Sequence, residues 1–162
     1  MEAGGTSLID RFEIEGDFMS DNFIKIIIAL VLILHGLGHG GALGALIWIR
    51  LRPGTNTGRW REARSWLFPS LPGPAATAVA STFWILALVG FVLAAMSFWG
   101  VLVPGDIWRQ TAIYSAIISA VGIILFFGIW PTFNMLAALA VNIAVLVTQI
   151  WLHWPSQAMF GN

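Results

Sequence analysis

Apolar residues in this chain do not alternate with polar ones; they run together. Four stretches, about Phe23–Ile49, Val79–Val103, Ile107–Trp130 and Thr132–Trp154, are apolar almost throughout. Lys25 is the one charge in the first and Arg109 the one in the third, each near its start. A helix needs about 20 apolar residues to cross the hydrocarbon of a bilayer. Backbone amides cannot stay unpaired in lipid, so such stretches predict helices. The missing alternation excludes a transmembrane β-barrel. The expected fold class is therefore all-α, an integral membrane four-helix bundle over residues 23–154, with the lipid bilayer as its first partner.

The breaks between the stretches fit this reading. Val103-Pro104-Gly105-Asp106 is a turn signal, and Pro131 stands where a helix can begin. Both links are short, which makes the last three helices antiparallel neighbours. The link over residues 51–78 holds Pro53, Gly54, Pro69, Pro72, Gly73 and Pro74 and reads as a surface loop, with one short helix expected at Arg59–Phe68. Residues 1–22 form an acidic leader in which Leu8, Ile9, Phe12, Ile14 and Phe18 are spread among Asp10, Glu13, Glu15 and Asp17. An amphipathic segment and a disordered tail both fit it, and Met19-Ser20 reads like a start within it. Residues 155–162 form a short C-terminal tail.

Composition strengthens the membrane reading. Apolar residues make up 58% of the 162 residues and charged ones 10%, against about 25% charged in soluble domains. Zero net charge gives no footprint for nucleic acid. The absence of cysteine excludes disulfides, iron–sulfur clusters and dithiol chemistry. Arg50, Arg52, Arg59, Arg61 and Arg64 cluster at the long link, which the positive-inside rule places in the cytoplasm, with both termini outside an inner (plasma) membrane. The nine tryptophans fall near the two ends of the spans and read as two aromatic belts. Arg59, Trp60, Arg61, Arg64 and Trp66 together form a candidate membrane-surface patch, with topology alone as the plainer role.

Candidate chemistry concentrates in His35-Gly36-Leu37-Gly38-His39-Gly40-Gly41-Ala42-Leu43-Gly44. Gly36, Gly40 and Gly44 share a helix face, the spacing of a close-packing seam or of a slot for a flat ligand or partner subunit. His35 and His39 share another face, about 100° away. Ionisable side chains at membrane depth mark functional candidates, while a neutral histidine can also serve only as an interhelical hydrogen-bonding group. Counted from the loop end, His39 and Asn142 lie at the same depth of about 16 Å and could bond directly. His35 and His153 differ by about 10 Å in depth, which excludes them as paired axial ligands of one haem. Asn142, Gln149 and His153 share a face of the fourth helix, and Thr111, Ser115 and Ser119 one of the third, as a polar lining of the bundle. No carboxylate or cysteine joins the histidines, so no metal site is expected. No deep charge suggests a pump, and no nucleophile–base pair suggests an enzyme.

Leu34-His35-Gly36-Leu37-Gly38-His39, Ile107-Trp108-Arg109-Gln110-Thr111-Ala112, Ser119 and Phe127–Pro131 resemble small four-span bacterial membrane proteins with a His-Gly-x-x-His first helix, broadly DoxX-like. The resemblance covers most of Phe23–His153. It implies a four-helix bundle and no established activity: some DoxX-type proteins are linked to quinone-dependent electron transfer, and many have no assigned role. Two functions stay open on the residues. One is a non-catalytic accessory or assembly subunit of a larger membrane complex, with other membrane protein subunits as partners. The other is a protein holding a quinone, chlorin or haem near His35 and His39, with Asn142 and Gln149 as further contacts.

Overall fold

The structure, a computed structural model, describes residues 8–52 and 61–156, with side chains from residue 21 onward. Most of the acidic leader's side chains, Arg59, Trp60 and the tail beyond Ser156 lie outside that description. Four helices follow one another: α1 (Leu8–Leu51), α2 (Gly73–Ser97), α3 (Trp108–Leu125) and α4 (Thr132–Leu146), the last continued by a π-helical turn, Val147–Trp151. Among the described residues there is no strand. Four apolar helical segments of 31, 25, 21 and 20 residues each suffice to cross a bilayer. The chain is a multi-pass membrane protein built as an all-α four-helix bundle.

Helix ends follow from local chemistry. Pro72 precedes α2, with Pro74 in its first turn, where a missing N–H costs nothing. The expected second span ran on to Val103, but α2 stops earlier. Gly100 adopts φ +61°, the Gly100 N–H donates to the Ser97 carbonyl, and the Val101 N–H donates to the Met96 carbonyl. That pair of bonds is a Schellman cap, which closes a helix by turning its last carbonyls inward. The third helix likewise ends at Leu125 rather than Trp130, and Gly128 makes the turn with φ +91°.

The bundle is assembled by neighbours in chain order: α1 on α2, α2 on α3, α3 on α4. The tightest approach is α2 on α3. A Cβ at Gly122 would stand 2.8 Å from Phe83 Cβ and 3.0 Å from Trp84 Cζ3, and one at Gly90 would collide with Ser115. On the proposed glycine face of α1, Gly36 lies against the Leu88 carbonyl and Phe91 Cβ, each 3.2 Å from an added Cβ. Gly40 meets only the flexible Leu88 side chain, and Gly44 meets nothing within 4 Å. α1 and α4, by contrast, are splayed, and two pockets lie along their seam.

The long link is not a free loop over its described part. The expected helix at Arg59–Phe68 is absent from residues 61–68. That stretch straps across the end of α3 instead. Ser65 Oγ donates to the Leu125 carbonyl at 2.8 Å, Trp66 Nε1 donates to the Ile124 carbonyl, and the Arg61 N–H donates to the Ile129 carbonyl at 3.0 Å. The last carbonyls of a helix have no partner within it, and the strap supplies them.

The tryptophans divide. Trp48, Trp66, Trp99, Trp151 and Trp154 are exposed, as belt residues would be. Trp84, Trp108 and Trp130 are buried inside the bundle. Two full aromatic belts are therefore not what the nine tryptophans form: Trp108 opens α3 and Trp130 precedes α4, while Trp84 lies in the middle of α2, and the area of all three packs the helices together.

A candidate ligand-binding groove between the first and last helices

His35 and His39 stand one turn apart on α1, so their rings are neighbours on one face. The ring centroids are 5.0 Å apart and nearly perpendicular. His39 is buried, with 1% of its surface exposed. It lies parallel to Trp84 at 5.5 Å and to Phe91 at 6.2 Å, with Trp130 tilted beside it at 5.5 Å. Phe91 also meets the His35 ring edge-on at 4.6 Å. These aromatic walls come from α2 and from the turn before α4.

Polar atoms join the two histidines through the other helices. His35 Nε2 lies 2.9 Å from Asn142 Oδ1. Because that oxygen can only accept, His35 donates from Nε2. Asn142 Nδ2 donates to Ser119 Oγ at 2.7 Å, and Ser119 Oγ lies 2.8 Å from His39 Nε2. Ser119 Oγ carries one hydrogen and two acceptor sites, so besides accepting from Asn142 it meets His39 Nε2 as donor or as acceptor according to the His39 tautomer. His39 Nδ1 is buried without a protein partner. The chain His35–Asn142–Ser119–His39 thus ties α1, α3 and α4 together. Asn142 and Ser119 are completely buried.

The equal-depth estimate for His39 and Asn142 placed the right helices at the right height but chose the wrong direct partner. Asn142 bonds His35, and reaches His39 only through Ser119. Gln149 is 6% exposed, and its Nε2 donates to the Trp154 carbonyl at 2.9 Å and to Thr148 Oγ1 at 3.2 Å. It lines a separate pocket, away from the histidines. His153 is exposed with φ +49°, because the helix has ended before it, so it leaves the polar face shared by Asn142 and Gln149. Arg109 Nη2 fixes this end of the chain by donating to the carbonyls of His153 and Pro155 at 3.1 and 2.7 Å.

A groove of about 260 Å³ lies over the histidines between α1 and α4. Leu34, Gly38, Phe133, Ala137, Ala138 and Val141 supply its apolar lining, and His35, His39 and Asn134 its polar groups. Apolar walls with a few placed polar atoms are the ordinary makeup of a small-molecule site. Among the described residues no three His, Cys, Asp or Glu side chains gather as metal ligands. In the candidate surface patch, Arg61, Arg64 and Trp66 are exposed, and Trp66 also belongs to the strap described above.

Ser119 was visible in sequence only as part of a polar helix face. The aromatic walls Trp84, Phe91 and Trp130 carry no sequence signal that separates them from other apolar positions. No family model matches this chain, and no curated protein or solved structure matches it.

Proposed function

We propose that this membrane protein binds a quinone-class ligand from the bilayer, its ring seated in the groove beside His35 and His39. The observation that carries this reading is the hydrogen-bonded chain His35–Asn142–Ser119–His39 along a lateral apolar groove. Ionisable groups at membrane depth are costly and are functional candidates by default. His39 Nδ1 has no protein partner; in the tautomer that carries its hydrogen there, it donates to a carbonyl oxygen, and a quinone brings one on a flat, apolar body. Haem or chlorin ligation fits less well. Each histidine Nε2 is already held by Asn142 or Ser119, so axial ligation there would break the chain. Some of the DoxX-type proteins that the chain resembles are linked to quinone-dependent electron transfer. The arginines of the long link support an orientation with that link in the cytoplasm.

The test is binding of a short-tailed quinone to the protein in nanodiscs, read by calorimetry. The expected result is one quinone per chain, with affinity about tenfold weaker in His39→Phe. No binding to the folded protein would overturn the reading.

A second reading, an accessory or assembly subunit, draws on one feature of α1. Gly38, Gly41 and Gly44 are exposed, and no atom lies within 4 Å of a Cβ built on any of them. Such an outward face of small residues admits another membrane helix. Gly41→Leu would then abolish co-purification of partner subunits; an unchanged set of co-purifying proteins would count against it.

A further inference from the structure

The second pocket on the α1–α4 seam lies at the end opposite the arginine link. It encloses about 290 Å³ between Ile27, Val31 and Leu32 of α1, Val141 and Ala144 of α4, and Gln149. Every other residue that lines it is uncharged as well, and Arg109 behind the wall is engaged by the carbonyls of His153 and Pro155. One polar atom is left over there. Gln149 Oε1 is buried without a partner, although the side chain itself is fixed. The Gln149 amide cannot be turned over to hide that oxygen. Its Nε2 donates to the Trp154 carbonyl at 2.9 Å, and reversal would set two acceptors against each other. Oε1 is therefore a committed acceptor, buried without a donor.

We propose that this pocket binds a neutral membrane lipid with a free hydroxyl head, of the diacylglycerol class, whose hydroxyl donates to Gln149 Oε1. Three observations select that occupant. The orphaned acceptor requires an O–H or N–H. The absence of any ionisable side chain in the lining would leave a phosphate unpaired, so the head is neutral. The pocket runs from Gln149 to Val141, about 12 Å along α4, and its volume is at the small end for ligand sites, which suits one flexible acyl chain better than a fused ring system. The exposed flanks of Ile27 and Val31 form the rim through which a chain enters from the bilayer. This site is independent of the quinone reading, because it shares with the histidine groove only the wall residue Val141.

The experiment uses the full chain in nanodiscs doped with a diacylglycerol whose acyl chain carries a photoreactive diazirine, and compares it with the same lipid acetylated at its hydroxyl. The expected result is crosslinking to peptides containing Val31 or Ala144, about fivefold weaker for the acetylated lipid and for Gln149→Leu, matching the loss of one hydrogen bond. Ala144→Phe, which fills the pocket without touching Gln149, should remove the label while the protein stays folded. Equal labelling by the two lipids, or labelling spread evenly over the outer faces of all four helices, would overturn the proposal. So would complete displacement of the label by a long-tailed quinone, which would assign the pocket to that ligand's tail.

Discussion

Two seams of the same bundle are built in opposite ways. Between α2 and α3, Gly90 and Gly122 remove the side chains that would hold the helices apart, so Ser115, Phe83 and Trp84 press against bare backbone. Between α1 and α4, small residues (Gly38, Ala137 and Ala138) line the gap without closing it. α4 and its π-helical turn contain no glycine over Thr132–Trp151, and Gly36 and Gly40 of α1 are used against α2. The open seam is crossed by the polar bond from His35 to Asn142 and otherwise holds two pockets. Lipid tails are as apolar as leucine, so no hydrophobic force closes a seam in a membrane. The α2–α3 seam closes because its glycines meet side chains of the facing helix, whereas the small residues of the α1–α4 seam face a gap open to something that dissolves in lipid.

The largest effect that would break this comparison is at the closed seam. Gly122→Leu must displace Phe83 and Trp84 and should destabilise the bundle by about 3 kcal/mol, measured by steric-trap unfolding in bicelles. Asn142→Leu acts on the open seam. It removes the partner of His35 and one partner of Ser119, and should cost about 1–2 kcal/mol in the same assay. Ser65→Ala uncaps the Leu125 carbonyl and should cost about 1 kcal/mol, read as faster proteolysis of the residue 61–68 strap. Smallest is Gly44→Leu. An added side chain there meets nothing in the bundle, so the stability of the isolated protein should stay within about 0.5 kcal/mol of its starting value. A large loss at Gly44 together with tolerance at Gly122 would reverse the assignment of the seams.

How far the sequence could be read depends on what each residue answers to. The four helices were legible because lipid imposes one rule on every amide, and long uncharged runs meet it in only one way. Boundaries were less legible. The end of α2 is set by Gly100 in a Schellman cap rather than by the proline signal at Pro104, and the two cues compete within a few residues. Gly36 declared itself by its spacing, yet Gly44 has the same spacing and packs against nothing. Periodicity says which residues share a face and not what lies opposite. Gly90 and Gly122, which make the closest contact, belong to no such repeat. In the candidate site, His35, His39 and Asn142 stood out because polar groups at membrane depth are expensive. Which of them pair depends on how α1 and α4 slide past one another, and a difference of one turn moved the bond from His39 to His35. Trp130 misled because a tryptophan near a helix end serves equally as a belt residue or as an inward-facing wall, and Trp84 because α2 begins at Gly73 rather than the expected Val79, which puts it in mid-helix.

The central claim is that the α1–α4 seam lies open to lipid beside the histidines. The chain has no native cysteine, so single spin labels can be placed cleanly. Gly38 lines the groove, and a side chain there meets no atom within 4 Å; Ala94 is fully buried in the core. Oxygen accessibility by electron paramagnetic resonance in nanodiscs should be high at Gly38→Cys and low at Ala94→Cys, and it should fall at Gly38→Cys when a quinone is added. Equal shielding at both positions would mean that the seam is closed and would contradict the account.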